Sequence, residues 1–141
     1  MDITPTLTAA DLRPERGNKH HARRSAYNGT VYASRLEAAI AKRLDWLQGP
    51  AQAVQAWEYE IRFVLPGLTP KKTRNLSHKV DFKVTLPAKG TKATVLYLEA
   101  KGQRHRDGET RRAWVEHEYG IEIHVVGSVK EAESVIMEAR K

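Results

Sequence analysis

The chain has 141 residues, with 24 Lys or Arg against 17 Asp or Glu and no cysteine. That length suits one hydrophobic core and not two, and apolar and charged shares of 40% and 29% exclude a wholly disordered chain. The lack of cysteine excludes disulfides, zinc-thiolate centres and cysteine nucleophiles and fits a cytoplasmic protein.

No apolar run approaches the roughly 18 residues that cross a bilayer. The start shows no basic-then-apolar signal pattern, so export is not expected. The net charge of +7 is unevenly placed: residues 71–112 hold 12 basic and 4 acidic groups, more than the whole excess. A concentrated basic block points to a polyanion, most often nucleic acid; the bland alternative is a solvated lysine-rich surface.

Residues 1–25 read as a flexible basic arm. Pro5, Pro14 and Gly17 interrupt it, and it ends on Lys19, Arg23 and Arg24. Such an arm can lie along a phosphate backbone or have no role. The folded domain is expected over 26–141. Asn28-Gly29 marks a tight turn. A helix is predicted over 33–48, where Ala33, Leu36, Ile40, Leu44 and Leu47 recur on one face. Ser34 is its candidate N-cap and Gly49-Pro50 its stop. Glu37 falls about 20° from Leu44 at 100° per residue, inside the apolar stripe. A buried charge needs a partner or a metal; the alternative is a boundary glutamate reaching solvent.

Strands are predicted over 54–65, 79–86 and 94–100, then a turn at 107–109 into a helix ending at Tyr119. A strand over 121–126 and a helix over 129–140 complete the chain. The stretch 94–100 is apolar on both faces until its end, as in a central strand. The order implies an α/β or α+β sandwich around a mixed sheet.

Side chains alternate faces along a strand, so Glu99 and Lys101 project the same way, while Phe82, Val84 and Leu86 oppose Asp81, Lys83 and Thr85. If the strands carrying Asp81 and Glu99 form an antiparallel pair, the two carboxylates converge. Two converging carboxylates make a hard-oxygen site suited to Mg²⁺ or Mn²⁺. A lysine beside them can orient water or stabilise charge on a phosphate. An isolated Glu-x-Lys carries little weight. Its place at the end of a buried strand, after an Asp strand and before a basic run, carries more.

Lys71, Lys72 and Arg74 precede the Asp81 strand, and Arg104, Arg106, Arg111 and Arg112 follow Lys101. Both groups are expected to rim one end of the sheet and contact phosphates. His78 and His105 could approach that site but read better as exposed loop histidines. Trp46, Trp57 and Trp114 read as core.

The ordered set Glu37, Asp81 and Glu99-Ala100-Lys101 resembles the PD-(D/E)xK nuclease superfamily. More narrowly, the chain is similar to small phage-encoded endonucleases of Holliday-junction-resolvase-like type. The matching stretches include Asn18-Lys19-His20, Tyr27-Asn28-Gly29, 34–38, 60–63, Val80-Asp81-Phe82, 98–102 and 119–123. The resemblance implies a restriction-endonuclease-like αβββαβ core with a mixed central sheet flanked by helices. It also implies a Mg²⁺- or Mn²⁺-dependent endodeoxyribonuclease. Asp81, Glu99 and the Ala100 carbonyl would hold the metal, Glu37 would complete the site, and Lys101 would act on the attacking water.

Branched DNA, a homodimer and the cytoplasm of a bacterial host follow from the same likeness. A non-catalytic DNA-binding module and a nicking or end-processing nuclease remain the alternatives. Two positions depart from the family pattern. Glu60 stands where a glutamine is expected and either points into the site or away from it. Val80 stands where the superfamily's name has proline.

Overall fold

A computed structural model describes residues 24–65, 76–101 and 106–141. The expected arm, apart from Arg24 and Ser25, the basic loop 71–75 and residues 102–105 lie outside them. A short hairpin comes first, β1 (Ser25–Tyr27) against β2 (Thr30–Tyr32). Asn28 and Gly29 turn it with φ of 50° and 81°, the doubly left-handed loop that suits the strands' twist.

Helix α1 (Arg35–Gln48) follows, its Ser34 hydroxyl accepting the Glu37 N–H at 3.1 Å. The long strands β3 (Ala56–Leu65) and β4 (Leu76–Thr85) come next, then β5 (Val95–Ala100), helix α2 (Arg106–Tyr119), β6 (Ile123–Val126) and helix α3 (Val129–Ala139). The sheet order is β3-β4-β5-β6. The first two pairings are antiparallel and β5–β6 is parallel. A parallel neighbour requires a crossover, and α2 supplies it.

Two cores form, one on each face. Ile40, Ala41, Leu44 and Leu47 of α1 and Ala132 and Ile136 of α3 pack on Phe82, Val84, Leu96, Leu98 and Val126. Across the sheet, Val115 and Trp114 of α2 pack on Phe63, Leu65, Val80, Tyr97 and Ile123. Arg43 ties α1 to α3 through paired hydrogen bonds to Glu133 at 2.8 and 2.9 Å. The mixed α/β sandwich expected from the sequence is therefore present, with β5 inside the sheet.

Three local expectations need correction. β4 begins at Leu76 rather than 79, because β3 pairs with it down to Leu65↔Leu76. Helix α2 takes in Gly108 instead of following a turn there. Trp46 is 45% exposed, not core, and carries the Arg43 guanidinium 4.2 Å from its ring centroid; it lies roughly 200° around the helix from Leu44.

Candidate active site at the end of the central strands

Main-chain pairing brings Asp81, in the middle of β4, beside Glu99 and Ala100 at the end of β5. The Leu86 N–H donates to the Thr94 carbonyl at 2.9 Å, and the ladder runs on to Phe82↔Leu98 and stops. One step further in that register Asp81 would face Glu99, and the Ala100 N–H would meet the Val80 carbonyl. Instead the Ala100 N–H donates to Asp81 Oδ2 at 2.8 Å. A carboxylate thus replaces a main-chain acceptor where β4 parts from β5. On the opposite side the Lys101 N–H donates to the Val126 carbonyl at 2.9 Å. The segment Glu99-Ala100-Lys101 is thereby fixed from both neighbours.

Glu37 reaches this site from α1. It is buried at 7% exposure, as is Asp81. Its Oε1 accepts the Tyr59 hydroxyl at 2.7 Å and its Oε2 the Ser34 hydroxyl at 3.0 Å. The helix cap and the β3 tyrosine therefore support a carboxylate that interrupts an apolar stripe. Burial first, then the negative charge of Glu37, push the Asp81 carboxyl up to about 8. The Ala100 N–H opposes this rise, while Glu99 and a hydrogen bond with Glu37 add to it. Burial, followed by the Glu37 bond, also raises the Tyr59 phenol above its ordinary value.

Glu99 sits in the opposite electrostatic setting. Its Oε1 accepts from His78 Nε2 at 2.7 Å. Its Oε2 accepts Arg112 Nε and a terminal guanidinium nitrogen at 3.0 and 2.8 Å, with Lys101 Nζ 3.6 Å away. Burial works to raise its carboxyl, but the His78 and Arg112 bonds outweigh it and hold the group below its ordinary value. One buried carboxylate thus stays ionised beside another that resists ionisation, an arrangement typical of functional sites.

The expected residues are brought together as two linked sets. Glu37 and Asp81 share a hydrogen bond, and Glu99 gathers Lys101, His78 and Arg112. The Ala100 N–H links the two. In this arrangement no three His, Asp or Glu side chains among the described residues close on a common point as a metal cage.

Three residues take roles the sequence did not suggest. His78 is a buried strand residue on β4, 8% exposed, not a loop histidine. Arg112, expected on the phosphate-binding rim, turns inward with its side chain 12% exposed and is engaged by Glu99. Tyr59, not singled out by any pattern, supports Glu37; only the pairing Tyr59↔Phe82, which sets it beside Asp81, identifies it. Glu60 points away, half-exposed and bonded to Lys79 Nζ at 3.0 Å. Arg24 and Arg111 are exposed and Arg106 opens α2. Lys19, Arg23, Lys71, Lys72, Arg74, Arg104 and His105 lie outside the described residues. Compared with protein-family models, curated proteins and solved structures, the chain matches none.

Proposed function

We propose that the chain is a metal-dependent endonuclease of PD-(D/E)xK type that hydrolyses DNA phosphodiester bonds. The observation that carries this reading is the burial of Glu37, Asp81 and Glu99 around the end of β5, Asp81 bonded to the Ala100 N–H and Lys101 Nζ 3.6 Å from Glu99. The donor set suits a hard divalent cation. Asp81 is held up to about 8 by burial and by neighbouring carboxylates, and a positive ion relieves that repulsion. Asp81, Glu99, the Ala100 carbonyl and Glu37 would hold Mg²⁺ or Mn²⁺. When bound, the ion would supply Lewis-acid polarisation of the phosphoryl group.

The protein's own groups do the rest. Lys101 Nζ places a positive charge next to Glu99, where it orients the attacking water and offsets charge developing on the phosphate. Arg112 and His78 hold Glu99 ionised. Arg24, Arg106 and Arg111, with the basic groups flanking the strands, contact backbone phosphates without reading sequence. The narrower assignment is a Holliday-junction-resolvase-like enzyme acting as a homodimer on branched DNA, phage-encoded and working in a bacterial host cytoplasm. It rests on the likeness of the motifs; paired cuts require a two-fold assembly.

A second reading, a DNA-binding module without catalysis, draws on the engagement of both Glu99 oxygens by His78 and Arg112. A panel of four-way junction, flap, duplex and single-stranded DNA separates the readings. The nuclease reading expects Mg²⁺-dependent cutting, strongest on the junction and abolished in Asp81→Asn with binding kept. Junction binding without cutting in Mg²⁺ or Mn²⁺ favours the second reading. Preference for nicks or ends moves the substrate to end processing.

A further inference from the structure

Among the described residues, Asn28, Gln52 and Glu60 are the non-glycine residues with positive φ. Asn28 lies in the hairpin turn and Gln52 in the connection after α1, but Glu60, at 61°, stands in the middle of β3. A residue with a Cβ adopts this conformation in a strand only when its surroundings impose it.

The effect on the sheet is specific. The pairs Tyr59↔Phe82 and Ile61↔Val80 flank the Glu60/Asp81 position and keep one register. In a regular strand, residues two apart share a face. Here Tyr59 and Phe82 pack in the core beneath α1, whereas Ile61 and Val80 pack in the core beneath α2. The β3–β4 ribbon therefore turns over by one face at Glu60 and Asp81. At the same point β4 leaves β5, whose last paired residue is Leu98, and the Ala100 N–H finds Asp81 Oδ2 instead. The Glu60 side chain takes no part, since it faces solvent beside Lys79.

We propose that Glu60 is a positioning residue whose left-handed backbone, not its carboxylate, turns the β3–β4 ribbon over and sets Asp81 against the end of β5. Its consequence for catalysis rests on the nuclease reading, but its consequence for structure does not.

The test is a set of substitutions at Glu60, read by amide hydrogen exchange at Ala100 and by single-turnover cleavage. Glycine and asparagine accept the left-handed region, glutamine keeps the shape without the charge, and valine opposes it. Glu60→Gly, Glu60→Asn and Glu60→Gln are expected to keep Ala100 protection within about threefold of wild type or above it. Their cleavage rates stay at the wild-type level. Glu60→Val is expected to lose tenfold or more in Ala100 protection and in cleavage rate, with DNA affinity unchanged.

If Glu60→Val does not fold, the glycine and asparagine variants decide alone, because both must protect Ala100 at least as well as glutamine does. Tenfold loss of protection in Glu60→Gly and Glu60→Asn, or wild-type behaviour of a folded Glu60→Val, overturns the proposal. A chain that keeps this order at Ala100 yet cuts no DNA removes the nuclease reading and leaves the backbone role standing.

Discussion

Replacing Asp81 with asparagine should destroy activity and stabilise the metal-free protein. Burial and the charge of Glu37 move the Asp81 carboxyl from 3.8 to about 8. A group whose folded value lies above its unfolded one gives its full contribution below the unfolded value and loses it as pH rises through the folded value. The free protein should thus lose stability through Asp81 from about pH 4 to about pH 8. At 1.36 kcal/mol per pH unit the upper bound is ~6 kcal/mol. Relaxation and water penetration around an ionised Asp81 reduce this to about 2–3 kcal/mol.

Asparagine keeps an oxygen for the Ala100 N–H and offers Glu37 a donor, with no charge to desolvate. Its melting temperature without metal should exceed wild type by about 8 °C at pH 8.5 and by little at pH 4. Millimolar Mg²⁺ should raise the wild-type value at pH 8.5 and narrow the gap. Melting curves by circular dichroism at both pH values, with and without Mg²⁺, measure this. An asparagine variant no more stable than wild type at pH 8.5, or a gap that does not change with pH, refutes the reasoning.

Arg112→Gln removes two charged hydrogen bonds from the buried Glu99 and should cost about 2 kcal/mol near neutral pH, since His78 and Lys101 remain. Glu99 is held below its ordinary value, so its contribution is present above that value and lost as pH falls. The deficit of the variant should therefore close as the pH falls below the ordinary carboxylate range in urea titrations. Tyr59→Phe leaves Glu37 Oε1 without its 2.7 Å donor and should cost about 1–2 kcal/mol in the same titration. Its Mg²⁺ requirement for cleavage should rise, with DNA affinity unchanged. Lys101→Met should lower the cleavage rate by about 10²-fold or more and leave junction binding intact in a gel-shift assay.

Much of this arrangement is legible in the sequence because it follows from period and punctuation. The stripe of Leu36, Ile40, Leu44 and Leu47 fixes the face of α1, and so exposes Glu37 as the charge that face must bury. The doubly apolar run before Glu99 identifies an inner strand, and the short connection leading into it from β4 predicts the antiparallel pairing of the two.

What escapes the sequence depends on contacts between distant elements. Strand alternation assumes that faces persist along a strand. The turnover at Glu60 and Asp81 breaks that rule and places Val80 and Phe82 in different cores. His78 and Arg112 belong to β4 and α2, and only the crossover that lays α2 on this face brings both onto Glu99. A basic residue in a helix next to a basic loop reads as solvent-facing until a buried carboxylate is found beneath it.

Cleavage itself decides between a nuclease and a protein that only binds DNA. Wild type, Glu99→Gln and Asp81→Asn should be compared on a labelled four-way junction under single-turnover conditions, with Mg²⁺, with chelator, and with Mg²⁺ restored. Wild type should cut with Mg²⁺, stop with chelator and recover on restoration, while both variants bind the junction and leave it whole. Metal-independent cutting, or cutting by either variant at the wild-type rate, contradicts a catalytic site built on Asp81 and Glu99.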